Sequence, residues 1–436
     1  MSGTVVGLGG ILLMILLILI RMPIGFAMAG IGFTGLLIMY GGNMQPVIGT
    51  FGTMPFSTGA DYSFSVIPLF VLMGLFAYNS GISTEIYDTA KKWMGHWPGG
   101  LSVVTIGACA GFSAVSGSSV ATAATVGTMT IPEMRRSGVS DALATGAVAA
   151  GGTLGIMIPP SGLMVLYALM SDQSVAKLLV AGILPGLMLA VAFILVCALW
   201  AILSPTSASP LPRASWRERF QSLKGTFGIL VLFLLVMGGI YGGIFTVTEA
   251  AAAGAAGAFI ITALRRKLSW PMIRQALLET GRTTCMILMI VIGAHIFNIF
   301  LSVTQITTVI TDFLGGLDLP VTGVLFVILL VFILMGCVLD SLGMVVMMVP
   351  IILPTIVSLG LDPIWFGVVV VLVMEMGLIT PPIGINVFVI KDIARDIPLG
   401  KIFKGITPFL LAQIAVVSLL IFYPALPLWL VSLMPR

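Results

Sequence analysis

Apolar runs of about 20 residues or more follow one another along almost the whole chain, broken only by Gly, Pro or short polar segments. A helix of that length crosses the hydrocarbon core of a bilayer. Inside lipid it also pairs every backbone N–H and C=O within the segment. The chain is therefore expected to be an all-α polytopic membrane protein. Composition agrees, since 59% of the 436 residues are hydrophobic and 8% are charged, against roughly a quarter charged in soluble domains. That balance excludes a soluble enzyme, a disordered chain and a nucleic-acid binder. The 51 Gly and 24 Pro show no collagen-like period, and transmembrane helices tolerate both residues. Cys109, Cys197, Cys285 and Cys337 lie in apolar stretches without CxxC spacing, so neither a disulfide framework nor a metal site is read from them.

The apolar runs fall at roughly 3–20, 22–40, 63–80, 101–131, 140–170, 177–203, 226–244, 246–264, 283–301, 321–350, 363–390 and 405–431. The first lacks a basic flank and a small-residue cleavage site, so it is read as a retained helix. All of the 20 Lys and Arg except Lys177 and Arg436 can be placed on one side, which the positive-inside rule makes cytoplasmic. That partition requires 101–131 and 321–350 to return to the side they entered from. Both are longer than a single span and carry Gly or Ser near the middle, so both are read as re-entrant helical hairpins. The expected topology is about ten spanning helices plus two hairpins, with both termini outside. The outward loops carry Asp61, Asp312, Asp318 and Asp362. The basic stretches 209–224 and 266–282, with Trp216 and Trp270, are expected to lie as interfacial helices on the anionic leaflet.

A fixed offset of 222 positions relates the two hairpin regions. It carries Ser119 to Ser341, Pro132 to Pro354, Gly138 to Gly360, Gly155 to Gly377, Pro159 and Pro160 to Pro381 and Pro382, and Gly162 to Gly384. Arg135 and Arg136 place the end of the first hairpin inside, whereas the matching stretch around Val357 and Ser358 falls outside. The repeat is therefore inverted, which is the usual construction of an alternating-access secondary transporter.

Each copy contains Gly-x-x-x-Pro-Pro-x-Gly midway along a run long enough to cross, at 155–162 and 377–384. Two successive prolines remove two amide donors and interrupt the helix. Carbonyls freed at mid-membrane need a cavity or a cation; the plainer alternative is a kink packed on its neighbours, and two such elements in register favour function. Ser116, Gly117, Ser118 and Ser119 form a small hydroxyl-bearing turn, and Asp340 with Ser341 takes its place in the second copy. Helix N-termini at such tips suit an anion, and carbonyls with hydroxyls suit a hard cation. The expectation is a carboxylate substrate between the tips, with a sodium ion beside each broken helix. Asp340 and Glu375, as intramembrane ionisable groups, are functional candidates. Glu249, three residues after Thr246, is read as half of a capping box. His295 and His96 have no acid or hydroxyl partner close in sequence and are not read as catalytic.

At these residues a resemblance becomes specific. SGSSVATAATVG, IPEMRRSGVSDALATGAVAAGGTLGIMIPPS, GGIFTVTEAAAAG and LDPIWFGVVVVLVMEMGLITPPIGINVFV resemble the large, DctM-like membrane subunit of tripartite ATP-independent periplasmic (TRAP) transporters over nearly the whole chain. Val247 stands where that family more often has Pro. The resemblance implies a sodium-coupled importer of organic acids (C4-dicarboxylates, keto acids or sugar acids) that works by an elevator movement in the bacterial inner membrane and is not an enzyme. It implies two partners: a small four-helix Q-type subunit, expected here as a separate chain, and a periplasmic substrate-binding protein. It further implies about two sodium sites, one around Ser116, Ser119, Gly155, Ile158 and Pro159 and the other around Gly336, Gly377, Thr380 and Ile383. Substrate contacts would come from Ser118, Ser161, Asp340, Ser341 and Asn386.

On this reading residues 1–95 and 204–300 supply scaffold and interfacial helices. Residues 96–203 and 301–436 supply the two transport repeats, the second with the last helix. A stand-alone sodium/dicarboxylate carrier would share the hairpins and dispense with the partners. A channel would also use re-entrant hairpins. An intramembrane serine protease would need His295 folded against Ser113 or Ser116, and would leave the inverted repeat unexplained.

Overall fold

In a computed structural model, residues 2–316, 319–337, 339–382 and 384–434 are described. These residues form helices joined by short turns, with no strand among them. Chain order runs α1 (Gly3–Leu19), α2 (Ile24–Met39), α3 (Met44–Gly59), α4 (Val66–Asn79) and α5 (Ile82–Met94). The first hairpin is α6 (Leu101–Ser116) and α7 (Ser119–Arg136), followed by a broken helix, α8 (Asp141–Met157) and α9 (Gly162–Met170), and by α10 (Val175–Leu203). Next come α11 (Trp216–Phe233), continued through one π-helical turn into α12 (Gly239–Tyr241), then α13 (Val247–Leu264), α14 (Trp270–Thr304) and α15 (Ile306–Gly315). The second hairpin is α16 (Val321–Gly336) and α17 (Ser341–Ser358), and the second broken helix is α18 (Pro363–Gly377) and α19 (Ile385–Ile393). The chain closes with α20 (Leu399–Phe422) and α21 (Ala425–Ser432).

The inverted repeat holds element by element. The offset of 222 carries both ends of α7 onto both ends of α17, and the start of α8 onto the start of α18. The same offset relates α5 to α15 and α10 to α20 within a few residues. Among the described residues seven helices are long and apolar enough to cross a membrane, eight if α8 and α9, bent by 47° at their break, count as one span. At 17 and 16 residues, α1 and α2 fall just short of that length.

The broken helices form the centre. Every residue of α8 from Leu143 to Met157 is buried, as is every residue of α18 from Ile364 to Gly377. Helices apolar on all faces belong inside a bundle. Around α8 pack α6, α7, α10 and α20. Glycine permits the closest of these contacts: a methyl group on Gly146 would lie 2.3 Å from the Gly405 carbonyl oxygen of α20. Small residues at such crossings let backbones touch where lipid supplies no hydrophobic drive. A separate group of helices, α2, α3, α4, α13 and α14, packs together through α14 and α4.

The basic segments assigned to one side do meet there. Arg135, at the end of α7, pairs with Asp141 at 3.1 Å and with Asp396 at 2.6 Å, and Lys401 pairs with Asp141 at 2.8 Å. Nearby, Lys91 pairs with Glu133, and Arg265 pairs with Glu85 at 2.5 Å.

Three sequence expectations need correction. The stretch 266–282 is not a separate interfacial helix; from Trp270 it is the opening part of the continuous 35-residue α14. Within 209–224, residues before Ser215 are irregular, and a Ser215–Glu218 capping box then starts a helix that continues into the bundle. No proline stands between the basic part of either helix and the apolar run that follows, and Gly225 and Gly281 keep the helical conformation, so the hydrogen-bond ladder continues. The run 405–431 divides at Tyr423 and Pro424 into α20 and α21. The capping box read at Thr246 and Glu249 is present in full, the backbone N–H of each donating to the other's side chain.

Candidate functional site

Each hairpin tip is a short reversal followed by a helix N-cap. In the first, α6 ends at Ser116, Gly117 takes a left-handed conformation (φ 58°), and Ser118 caps α7 by accepting from the Ala121 N–H at 3.3 Å. In the second, Asp340 caps α17 by accepting from the Gly343 N–H at 3.3 Å. Ser118 and Asp340 are offset partners, so Asp340 has a structural role of its own, its carboxylate satisfying an orphan amide at a helix start. One residue further on, Ser119 and Ser341 open the first turns of α7 and α17 and are buried.

Each broken helix meets its own hairpin through glycine. A methyl group on Gly155 would lie 2.5 Å from the Ser118 carbonyl oxygen and 2.6 Å from Thr122 Oγ1. One on Gly377 would lie 2.7 Å from the Gly336 Cα. The backbone of each tip therefore touches the backbone just before each break. Ser116 Oγ is 2.6 Å from Thr122 Oγ1 at the first joint. At the second, the Thr380 hydroxyl donates to the Met376 carbonyl at 2.6 Å. Ile158 and Pro159 are buried at the first break. The Pro159–Pro160 and Pro381–Pro382 peptide bonds are both cis. Past the breaks, Ser161 caps α9 by accepting from the Met164 N–H at 3.3 Å. The Asn386 N–H in α19 donates back to the Leu378 carbonyl at 3.1 Å. Ile383 lies outside the described residues.

Between the two joints sits Glu375, fully buried on α18. Ser119 Oγ donates to its Oε2, and Ser341 Oγ donates to its Oε1 at 3.3 Å. One carboxylate thus joins the tips of both hairpins. The Asn386 side chain is also fully buried, and among the described residues neither its amide oxygen nor its amide nitrogen has a partner. Buried polar groups are nearly always satisfied, and Asn386 shares its lack of a partner among the described residues with others such as the Tyr87 hydroxyl and Gln413 Oε1.

The contacts at the first joint are those of Gly155 with Ser118 and Thr122 and of Ser116 with Thr122, and at the second that of Gly336 with Gly377; Ile158, Pro159 and Thr380 follow the joints in sequence. Sequence reasoning flagged Glu375 without its partners, which lie 256 and 34 positions away. It also left His295 unpartnered, whereas Thr58 Oγ1 lies 3.0 Å from His295 Nδ1. The same imidazole lines a polar cavity of about 330 Å³ with Asp61, Ser63, Asp172 and Gln173. Ser113, for its part, donates to the Cys109 carbonyl at 2.6 Å.

Two re-entrant hairpins facing two broken helices, related by an inverted repeat, define a polytopic all-α membrane transporter. Residues 11–426 match the tripartite ATP-independent periplasmic transporter, DctM component. The C4-dicarboxylate TRAP transporter large permease protein of Pseudomonas aeruginosa is 37% identical over 380 residues, covering 86% of this chain and 88% of that protein. The isethionate TRAP transporter permease protein DctMQ of Oleidesulfovibrio alaskensis is 30% identical over 95% of this chain and 64% of its own length. In fold the chain is similar to the YdaH transporter of Alcanivorax borkumensis, with a TM-score of 0.63 at 16% identity, covering 90% of this chain and 91% of that one. The chain belongs to the DctM family, the large permease subunits of TRAP transporters.

Proposed function

We propose that this subunit carries out sodium-coupled uptake of organic acid anions across the bacterial inner membrane, fed by a periplasmic binding protein and supported by a small Q-type membrane subunit on a separate chain. Sodium is a co-transported substrate in this reading. One ion is held around Ser116, Ser119, Gly155, Ile158 and Pro159, the other around Gly336, Gly377, Thr380 and Ile383. What supports two such sites is the supply of hard oxygen donors at each joint: hydroxyls at the first, the Thr380 hydroxyl at the second, and carbonyls freed by each Pro–Pro break. Among the described residues no group of three or more His, Cys, Asp or Glu could hold a metal ion, which suits a weakly held monovalent ion that must also leave.

The anion lies between the tips. Asn386 carries most of its recognition, because among the described residues its buried amide has both a donor and an acceptor to spare. Ser118, Ser161, Asp340 and Ser341 supply its remaining contacts, and three of them stand at helix N-termini, whose dipoles favour an anion. Relatives named for a C4-dicarboxylate and for isethionate fit a site that reads negative charge through dipoles and bound cations. The transport repeats, 96–203 and 301–436, move as an elevator against a scaffold from 1–95 and 204–300.

The observation that carries this reading is the pairing of each broken helix with a hairpin tip through glycine. Its test is uptake of labelled C4-dicarboxylates, isethionate and sugar acids into proteoliposomes across a sodium gradient, with and without the small subunit and a loaded binding protein. Saturable uptake that needs sodium and both partners is expected. Uptake by this chain alone would contradict the tripartite part, and flux indifferent to sodium would contradict the cation sites.

A further inference from the structure

A carboxylate buried at membrane depth is costly unless its hydrogen-bonding needs are met. Among the described residues no Lys, Arg or His forms an ion pair with Glu375. Its two oxygens are taken by two serine hydroxyls, and those serines belong to different hairpins. Ser119 and Ser341 each stand one residue beyond the N-cap, so a bond to either one fixes the first turn of its hairpin's return helix. Glu375 itself lies two residues before Gly377, the joint of the second half. Among the described residues the first repeat has no counterpart to this link: the offset partner of Glu375 is Thr153, whose hydroxyl donates at 2.7 Å to the Ala150 carbonyl of its own helix. The repeat therefore does not generate the link.

We infer that Glu375 is a positioning residue that ties the two hairpin tips to each other, so that a change at one half of the site is felt at the other half. Loosening the first tip removes a donor from Oε2, frees the carboxylate to shift, and thereby weakens the hold on Ser341. The cation half-sites then fill cooperatively, because closing one tip pre-orders the other. That consequence rests on the sodium reading above, while the tie itself does not.

A packing role alone would predict only local effects, and the test is built on that difference. Backbone hydrogen exchange is measured on the detergent-solubilised protein in sodium-free choline buffer, following peptides that cover 114–122 and 339–346. Glu375→Leu, close in volume and unable to accept either bond, is expected to raise exchange about tenfold at both tips, the scale of losing a hydrogen bond to a charged group. Glu375→Gln, which can still accept from one serine and donate to the other, is expected to restore most of that protection. Ser119→Ala, confined to the first hairpin, is expected to raise exchange at 339–346 as well. Combined with Glu375→Leu it should add nothing further there, the sign of a shared interaction. No rise at 339–346 in Ser119→Ala would overturn the tie, and so would additivity in the double variant. If Glu375→Leu does not fold, Ser119→Ala and Ser341→Ala, each read at the opposite tip, give the same decision.

A parallel sodium titration of uptake separates this inference from the functional reading. A cooperative dependence that flattens to a Hill coefficient of about one in Glu375→Leu and recovers in Glu375→Gln supports both. Sodium-independent uptake with the cross-tip effect intact removes the cation sites and keeps the tie. Sodium-dependent uptake without the cross-tip effect does the reverse.

Discussion

The first repeat places Thr153 where the second places Glu375, and the two residues behave differently. Thr153 bonds within its own helix, whereas Glu375 reaches both hairpin tips. Much of what shapes the backbone is present twice: the N-caps Ser118 and Asp340, the serines that follow them, the glycines at the joints and the paired prolines. Surroundings differ as well. Pro159 and Pro160 are buried, while Pro381 and Pro382 are exposed, with Pro381 on a groove that also holds Phe403, Lys404 and Thr407 of α20. Duplication thus supplies the geometry of two half-sites, and a single unduplicated side chain connects them.

The largest expected effect comes from the shared joints. Gly155→Ala and Gly377→Ala each push a methyl group onto tip backbone that has no side chain to move aside. Each is expected to lower uptake by about a hundredfold in proteoliposomes. A variant that keeps full activity would show that its half of the site is not closed by its hairpin.

Next comes the residue that differs. Giving the second repeat the residue of the first, Glu375→Thr, is expected to cost about tenfold in uptake. Thr153→Ala, which removes only a bond within one helix, should stay within about twofold. Equal losses in the two variants would erase the distinction between the repeats.

A smaller effect is expected from the hydroxyls at each joint. Thr380→Ala should raise the sodium concentration for half-maximal uptake by about fivefold while leaving the rate at saturating sodium unchanged. Thr122→Val, which removes the partner of Ser116 at the first joint, should act similarly. A shift in only one of them would rank the two halves by their use of side-chain oxygen.

The smallest effect lies at the ends of the hairpins. Arg135 holds the Asp396 carboxyl below its ordinary range through a direct hydrogen bond, whereas α17 ends on Val357 and Ser358 without such a pair. Because the folded state depresses this group, its contribution is complete above the ordinary Asp range and fades only as pH falls through the lowered value. Asp396→Asn should therefore lower Tm slightly and by the same amount from pH 8 to pH 5, since exposed pairs contribute little. A difference that vanished already at pH 5 would contradict the assigned direction.

Much of the fold was legible because membrane helices announce themselves by length, and because Gly and Pro mark breaks whose positions repeat at one offset. The caps were equally readable: Thr246 and Glu249 stand three residues apart and do what that spacing implies. Less legible was α3, whose Gln45, Thr50, Thr53 and Ser57 dilute its hydropathy below that of a span. The amphipathic α5 is not an apolar run and α15, at 10 residues, is too short for a span, so neither gives such a signal, although the offset relates them. Within the site, sequence identified the hairpin tips and the broken helices but not what joins them. Ser119 and Glu375 are 256 positions apart, and Thr58 and His295 are 237 apart. Contacts at that separation follow from how helices pack, and no local pattern encodes them.

The central claim is that two half-sites, each a hairpin tip against a broken helix, together hold the coupling ions. It is tested most directly by equilibrium binding of radioactive sodium to the purified protein, compared with Gly155→Ala and Gly377→Ala. The account predicts about two ions at saturation on the unaltered protein and about one on each variant. Absence of saturable binding to the unaltered protein, or unchanged stoichiometry in both variants, would contradict it.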